Sequence, residues 1–277
     1  MTNPQGVNAF PDDPAPSEPP EPLRILHRDD DLLVICKPPG LLVHRTALDA
    51  HEFDTVVERL RQQLGADAPP MLAPAHRLDK GTSGLLVLAC HAEAARVLGQ
   101  QFEQGLVHKQ YLALVRGWLG TACRCDHPLA RDPELPSTGQ AQLPASTLFQ
   151  PLARAHWPFQ TDPRHPTSRF SLVQAEPLSG RRHQIRRHLK HLSHPIIGDA
   201  THGKGPVNRA AAAWLEESRL WLHAATLRMP HPRDGAVMHW HAPADGAWVR
   251  MLAKPGWEHE SGRTATIHAL LDGAPAG

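Results

Sequence analysis

The stretch His76-Arg77-Leu78-Asp79-Lys80-Gly81-Thr82-Ser83-Gly84, followed by the apolar run 85–89, is the segment around which the chain is organised. A carboxylate between basic residues, two glycines within five positions and a buried-strand pattern indicate a loop that holds one acid at the edge of a rigid sheet. Asp79 is therefore the first candidate for chemistry. The alternative is an Asp that only hydrogen-bonds its own turn, since Asp-x-Gly loops are common. Spacing alone leaves both interpretations open.

Composition predicts one substantial core with loose ends. The 277 residues are 41% hydrophobic, which is enough for one large core or two small ones. Residues 1–22 hold seven prolines, four acidic residues and no Lys or Arg, so they cannot build a core of their own. We therefore expect a disordered Pro-rich acidic tail at 1–22, a catalytic domain at 23–255 and a weakly ordered C-terminal tail at 256–277.

The charge distribution favours a polyanionic partner. The chain carries +1, but its two ends carry −4 and −2, so residues 23–255 carry +7. A basic body can neutralise phosphates and steer a nucleic acid towards itself. Many globular enzymes are mildly basic, so charge alone does not select this interpretation.

The sequence shows no pattern typical of export, a membrane span or a metal site. The N-terminus lacks the basic and apolar regions of a secretory signal, and no apolar run approaches the roughly 18 residues of a membrane helix. Cys36 and Cys90 lie in apolar strand-like runs, where reduced thiols are ordinary, and the pair Cys123-x-Cys125 has no partner pair at ligand spacing. We expect a cytoplasmic monomer without a metal, a membrane partner or a DNA partner.

The hydrophobic pattern predicts an α+β fold. Strands are predicted at 23–26, 32–36, 85–89, 109–117 and 170–175. Helices are predicted from a capping box at Thr55 to Gly65 and from Ala94 to near Gly105. Residues 120–170 show little periodicity and read as a long irregular connection with one or two strands. We expect a mixed, largely antiparallel sheet with flanking helices and the Asp79 loop at a central basic cleft.

Two further segments carry candidate functional residues. The basic segment 180–192 places Ile185, Leu189 and Leu192 on one helical face and Arg182, Arg186 and Lys190 on another. A solvated surface helix is the ordinary interpretation, and metal binding by its histidines is disfavoured because carboxylates are absent nearby and arginines would repel a cation. Tyr111, the only tyrosine, alternates on a predicted strand, where a core role with a satisfied hydroxyl is ordinary.

As a set, these motifs resemble one enzyme family. The patterns His-Arg-Leu-Asp-x-Gly-Thr-Ser-Gly at 76–84, Lys-Pro-Pro-Gly at 37–40, Lys-x-Tyr-x-Ala-x-Val-x-Gly at 109–117 and Gly-Arg-x-His-Gln-Ile-Arg-x-His at 180–188 are similar to those of the RluA-type pseudouridine synthases. The resemblance implies a pseudouridine synthase fold and isomerisation of uridine in structured RNA without a cofactor. It also implies that Asp79, Tyr111 and Arg186 are catalytic, with Arg186 approaching Asp79. We expect RNA contacts from His76, Arg77, Lys109, Arg181, Arg182 and Gln184.

Within the family, the chain looks most like the TruC-type branch. The resemblance lies in Gln100–Gln104, Arg116–Leu119 and Gly198–Gly203 with Asn208-Arg209. That branch modifies a tRNA uridine at position 65, so the resemblance implies a tRNA substrate. The chain also shows no additional N-terminal basic RNA-binding domain of the kind that many ribosomal-RNA members carry. Ribosomal RNA is the alternative substrate.

The reaction breaks the N1–C1′ bond, rotates the uracil and joins its C5 to C1′. A carboxylate can serve either as a nucleophile at C1′ or as a base at the sugar C2′, and the sequence does not separate these routes. Arg186 is expected to keep Asp79 ionised and in place, and Tyr111 to stack on the uracil and, directly or through water, to remove the C5 proton. Arg77 is a hypothetical filler of the space that the flipped nucleotide leaves.

Two other function classes compete with this interpretation. A glycoside hydrolase also places a carboxylate at a C1′-type bond, but it needs a second carboxylate roughly 5 to 10 Å away, and the conspicuous partners here are an arginine and a tyrosine. A non-catalytic RNA-binding protein or RNA chaperone would keep the fold and the basic cleft without the chemistry.

Overall fold

The computed structural model describes residues 21–45, 53–162, 164–259 and Ile267. The strands are β1 (Arg24–Arg28), β2 (Leu32–Lys37), β3 (Ala73–Pro74), β4 (Ser83–Ala89), β5 (His108–Arg116), β6 (Cys123–Cys125), β7 (Leu129–Ala130), β8 (Gln142–Leu143), β9 (Thr147–Trp157), β10 (Ser168–Pro177), β11 (Leu222–Pro230), β12 (Val237–His241) and β13 (Trp257–His259). The helices are α1 (Val56–Leu64), α2 (Ala92–Glu103), α3 (Gln184–His191), α4 (Gly205–Leu215) and α5 (Gly246–Ala253).

One mixed sheet dominates the fold. Its strands run in the order β1-β2-β4-β11-β5-β10-β9-β13, while β12, β3 and β6 pair on β11, β4 and β9. Within the described part of the chain, β4 and β11 form the one parallel pair of named strands, and the other pairs are antiparallel. The predicted α+β fold with a largely antiparallel mixed sheet is confirmed.

The central strands β2 and β4 are buried on both faces. Every residue of β4 is buried, and β2 is buried at all but one position, which is typical of apolar runs without alternation. Thr55 is the N-cap of α1, as the predicted capping box requires, since its side chain accepts a hydrogen bond from the Glu58 backbone N–H. In α2, Ala94 and Leu98 face the core at helical spacing.

The segment 120–170 contains more sheet than its sequence predicts. It forms β6 to β9 and the first residues of β10, and β9 pairs with β10 over ten register positions with a bulge between Leu172 and Val173. Pro151 lies inside β9, and proline is a poor signal for a paired strand. The prediction of one or two strands was therefore too low.

The ends of the chain differ in what the structure describes. Trp257–His259 pair with Ala153–Ala155 of β9, so the sheet extends beyond residue 255, and Ile267 is buried in the core. The predicted N-terminal tail falls almost entirely on residues 1–20, which lie outside the described residues, as do residues 260–266 and 268–277.

Gly84 joins the Asp79 loop to the parallel strand pair. Its φ of +106° lies in a region that L side chains rarely adopt. A Cβ atom at this position would lie 2.2 Å from the carbonyl oxygen of Ala224, its register partner on β11. The close approach of β4 and β11 therefore requires glycine.

We expect Gly84→Ala to lower the free energy of unfolding by about 3 kcal/mol or more, because the new methyl group meets backbone that cannot move without breaking the strand pair. Gly99→Ala is the matched control: nothing lies within 4 Å of a Cβ there, and Gly99 is inside α2. That control should stabilise by up to about 1 kcal/mol through helix propensity. Urea unfolding of the two variants tests this, and equal stabilities would contradict it.

Candidate active site

One cavity of about 1050 Å³ brings the predicted site residues together. It lies between the Asp79 loop, the start of β5 and the segment that leads into α3. Asp79, Tyr111 and Arg186 all line it. So do the six predicted RNA contacts, which are His76, Arg77, Lys109, Arg181, Arg182 and Gln184.

Arg186 bridges two carboxylates at the floor of the cavity. Its Nη1 donates to Asp79 Oδ2 at 2.8 Å, while its Nε and Nη2 donate to the two oxygens of Asp199, each at 2.8 Å. Arg186 is 7% exposed and Asp199 is 1% exposed. This planar fork is a geometry that lysine cannot supply. Arg186 therefore holds Asp79, and Asp199 fixes the position of Arg186.

The charges of this trio reinforce one another. Burial alone would lower the pKa of Arg186, but the two carboxylates outweigh it and raise that pKa above its ordinary value. Burial alone would raise the pKa of Asp199, but the hydrogen bonds and charge of Arg186 leave it below the ordinary value. Arg186 and Asp199 therefore stay charged at neutral pH.

Asp199 contacts the site residue Arg186, although the sequence analysis cited it only as part of a motif. It follows Gly198, whose φ is +78°, in the turn after the buried pair Ile196 and Ile197. Its Oδ1 also accepts hydrogen bonds from the backbone N–H groups of Thr201 and His202. The sequence signal for this residue was an acid that follows an apolar run and a glycine. The sequence did not indicate that its partner is Arg186, 13 positions upstream.

Lys37 supports the Asp79 loop from the protein interior. Its Nζ is buried and donates to the carbonyl oxygens of Pro38, Leu41 and Lys80. Burial lowers the pKa of Lys37 to about 7, whereas the charge of Asp79 acts in the opposite direction. With the hydrogen bond from Gly40 N–H to Lys80 O at 2.9 Å, this lysine ties the turn after β2 to the loop that presents Asp79.

Tyr111 lies in β5, opposite Ala224 of β11 and Ala175 of β10. Burial, together with the charge of Asp79, raises the pKa of the Tyr111 phenol above its ordinary value. A phenolate is thus disfavoured at neutral pH, which makes the direct removal of a C5 proton by ionised Tyr111 costly. The ring remains available as a stacking surface at the cavity wall.

His183 is a further residue that the sequence analysis did not single out for the site. Its Nε2 lies 3.8 Å from Asp79 Oδ1, and its Nδ1 is hydrogen-bonded to His202 Nε2 at 3.1 Å. Burial lowers the pKa of each histidine to about 4, so both are neutral at pH 7. His183 also has a left-handed backbone, with φ of +54°.

The predicted basic RNA contacts differ in how freely they can meet RNA. Arg77 is exposed at the cavity rim, and Arg181 is exposed while its Nε donates to the carbonyl oxygen of Pro144. Arg182 is paired with Asp132 and Glu134. Lys109 lies over the ring of Phe102 at 5.5 Å, and burial lowers its pKa.

Gln184 and His76, which were predicted as RNA contacts, make several contacts within the protein. The Gln184 side chain is buried and makes four hydrogen bonds within the protein, to Ser179 Oγ, Arg181 N, Ser146 O and Thr147 Oγ1. His76 accepts from Val87 N–H and stacks on Phe102. Burial and the nearby Lys109 lower the pKa of His76 to about 3, so it cannot act as a cation towards phosphate. Both residues shape the cavity wall.

One group of described side chains has the spacing of metal ligands. Ligand atoms of Asp29, Asp31 and His231 lie within 4.8 Å of one another, and none of the three residues lines the cavity. Arg233 Nη2 already lies 2.7 Å from Asp31 Oδ2 and supplies a positive charge there. The group therefore offers no ligand to the cavity.

Comparison with known proteins identifies the family. A family model described as RNA pseudouridylate synthase matches residues 31–191, which is more than half of the chain. The chain belongs to this family. The predicted resemblance to the RluA-type synthases is thereby confirmed.

Relatives and solved structures agree with this assignment. The protein named tRNA pseudouridine synthase C of Salmonella typhi is 42% identical over 240 residues, which are 85% of this chain and 90% of that protein. The protein of the same name from Haemophilus ducreyi is 40% identical over 239 residues, or 85% and 96% of the two chains. The structure of Human RNA Pseudouridylate Synthase Domain Containing 4 is 25% identical, has a TM-score of 0.62, and covers 83% of this chain and 91% of its own.

Among the described residues of this synthase, no helix is both long and apolar enough to cross a membrane.

We expect Asp199→Asn to damage both stability and catalysis. The amide leaves Arg186 with half of its carboxylate support, and breaking a buried ion pair from one side costs about 3 to 5 kcal/mol. Misplacement of Asp79 by about 1 Å can slow the reaction by about 100-fold. Asp79→Asn, at a more exposed carboxylate, should abolish pseudouridine formation with a smaller loss of stability. Urea unfolding and single-turnover kinetics measure both effects, and wild-type kinetics for Asp199→Asn would count against the bridge.

The stability of the fold should decrease in mild acid. Burial lowers the pKa values of His76, His183, His202 and His223 to about 3, 4, 4 and 4, from an ordinary value of 6.5. The unfolded chain therefore binds more protons than the folded one as pH falls from 6.5 towards 4, so the free energy of unfolding falls across that window and is regained above it. Urea titrations at pH 7.5, 6.5, 5.5 and 4.5 measure this slope.

His223→Gln should make the slope shallower, because the ring is completely buried between Ser83 Oγ and Ala242 O. His239→Asn is the control, since His239 is exposed on β12, and its slope should match that of the wild type. A stability that stays constant between pH 6.5 and 4.5 would refute the burial of neutral histidines.

Proposed function

We propose that this protein is a tRNA pseudouridine synthase that isomerises uridine 65. The observation that carries the proposal is the position of Asp79, fixed at 2.8 Å from Arg186 in a cavity that Tyr111 also lines. The relatives named tRNA pseudouridine synthase C support tRNA over ribosomal RNA as the substrate. The assignment of position 65 rests on the resemblance to the TruC-type branch.

The arrangement suits a reaction at the sugar of one extruded nucleotide. A cavity of this size can receive a base and its ribose, and extrusion from the RNA stack costs about a few kcal/mol. The uncharged uracil can stack on Tyr111, while phosphates stay at the rim near exposed Arg77 and Arg181. The basic groups at the rim therefore bind the phosphates, and the carboxylate inside the cavity meets the ribose.

Asp79 performs the step at the sugar, either by attacking C1′ or by taking a proton from C2′. In both routes its carboxylate must be ionised and rigid, and Arg186 supplies a charge-assisted hydrogen bond to one oxygen. When C5 replaces N1 at C1′, the uracil loses its C5 proton and gains one at N1. Protonated Tyr111 can hold the ring during this rotation, and water can carry the proton.

The geometry argues against glycoside hydrolysis. The carboxylate that shares Arg186 with Asp79 is Asp199, and it is buried, ionised and doubly hydrogen-bonded. It therefore cannot give a proton to a leaving group, which a hydrolase requires of its second acid.

The proposed enzyme acts as a cytoplasmic monomer, since tRNA is a cytoplasmic substrate and one chain supplies the residues of the cavity.

The experiment is carbodiimide mapping of pseudouridine in total tRNA and ribosomal RNA from cells with and without the gene. We expect one site, uridine 65 of tRNA, to lose its signal in the deletion strain and to regain it with the wild-type gene. Asp79→Asn should not restore it. Asp30→Asn, at an 87% exposed aspartate outside the cavity, is the matched control and should restore it fully.

Other outcomes would redirect the assignment. A signal lost only from ribosomal RNA would replace the substrate with the alternative one. Purified protein that binds tRNA but forms pseudouridine in no RNA would favour the non-catalytic RNA chaperone. Restoration of the signal by Asp79→Asn would remove Asp79 from the chemistry.

A further inference from the structure

One side-chain atom of Asp79 and one of His183 make no hydrogen bond to any described residue. Asp79 Oδ2 is occupied by Arg186, but Oδ1 receives no hydrogen bond from any described residue. His183 uses Nδ1 to contact His202, whereas its Nε2 makes no hydrogen bond within the described chain. These two open atoms are 3.8 Å apart.

The protonation of the histidine pair determines which chemical group fits between these atoms. If His202 donates its Nε2–H to His183 Nδ1, the second proton position of His183 is Nε2, and that N–H points towards Asp79. The opposite tautomer would aim a lone pair of His183 at a carboxylate, which is repulsive. Because burial holds the pKa of both rings near 4, neither ring carries a charge at pH 7.

A neutral N–H donor and a carboxylate acceptor can share one group only if that group both accepts and donates. A hydroxyl does so, and an oxygen about 2.8 Å from each atom fits a separation of 3.8 Å. In a nucleotide inside an RNA chain, the 3′ and 5′ oxygens are esterified, so the ribose has one free hydroxyl, at C2′. Both routes for Asp79 place its carboxylate against C1′ or C2′, next to this hydroxyl.

We propose that the Nε2–H of His183 and the Oδ1 of Asp79 together bind the 2′-hydroxyl of the target ribose. His202 is a positioning residue, because it fixes the proton of His183 on Nε2. This inference rests on the proposed function and adds to it a contact that distinguishes RNA from DNA at the reacting nucleotide.

The backbone of His183 is consistent with this role. Its φ of +54° and ψ of +26° lie in the left-handed region at the start of α3, where no helix needs such a residue. Glu216 also has positive φ, but it follows a helix, where this conformation commonly ends the last turn. Strain of this kind persists where the surrounding structure fixes a side chain for a purpose. Here it places the ring beside Asp79.

The test is a cycle of enzyme and substrate changes. The enzymes are wild type and His183→Asn, since asparagine tolerates the left-handed backbone. The substrates are tRNA transcripts with either uridine or 2′-deoxyuridine at the target position. We expect kcat/KM of the wild type to fall about 100-fold on the deoxy substrate, the order of two lost hydrogen bonds. His183→Asn should be about tenfold slower on uridine and should lose only about tenfold further on the deoxy substrate, because only the hydrogen bond to Asp79 is then left to lose.

Additive losses, in which His183→Asn is also about 100-fold slower on the deoxy substrate than on uridine, would overturn the proposal. His239→Asn, at an exposed histidine of β12, is the matched control and should behave as the wild type. Wild-type protein that converts uridine while the cycle is additive refutes only the role of His183. Wild-type protein that converts no RNA refutes the proposed function and this inference together.

Variants of His202 separate positioning from a merely structural role. His202→Gln can still donate an N–H to His183 Nδ1 and should keep most of the discrimination between uridine and 2′-deoxyuridine. His202→Leu cannot donate and should reduce that discrimination to the level of His183→Asn. If both variants lower the melting temperature equally and leave the discrimination intact, His202 only packs and does not position His183.

Discussion

The position of one guanidinium determines the geometry of the candidate site. Arg186 comes from α3, Asp79 from a loop 107 positions earlier and Asp199 from a turn 13 positions later, and all three meet at 2.8 Å. A buried guanidinium with one carboxylate would be balanced but loosely oriented. The second carboxylate fixes the plane of the fork, so the Nη1–H group that Arg186 donates to Asp79 points in one direction only. With both carboxylates ionised, as the proposed chemistry requires, the trio carries one net negative charge.

The sheet supplies the rigidity that this bridge needs. Gly84 lets β4 approach β11, and Lys37 ties the end of β2 to the Asp79 loop, which precedes β4. The loop that presents Asp79 is therefore fixed on both sides. On the opposite wall, the amide of Gln184 donates hydrogen bonds to Ser146 and Thr147, where β9 begins, and so holds the start of α3. The two walls are therefore anchored independently, and the cavity is the space left between them.

The sequence predicted the parts of the site that carry local patterns. A glycine-rich loop after a charged cluster indicated Asp79, and the resemblance of the motifs placed Tyr111 and Arg186 beside it. It could not identify Asp199, Lys37 or His183 as site residues, because their importance arises from partners that are distant in sequence or from a backbone angle. The internal hydrogen bonds of Gln184 were not predicted either, since two of the four reach Ser146 and Thr147 in a segment without periodicity. The strand β9 was missed there too, since Pro151 interrupts its pattern.

The neutrality of the histidines explains how a basic protein can keep a reactive carboxylate. If His76 and His183, which line the cavity, and His202, which contacts His183, were charged, this region would hold several cations and would attract phosphate into the place of the uracil. Burial prevents this by lowering their pKa values to about 3 or 4. Positive charge is instead carried at the rim by Arg77 and Arg181, while Arg182 is offset by Asp132 and Glu134. The rim of the cavity thus provides affinity for the RNA backbone, and its interior, where the histidines are neutral, provides selectivity for an uncharged base. Because the two functions lie at different depths, neither weakens the other.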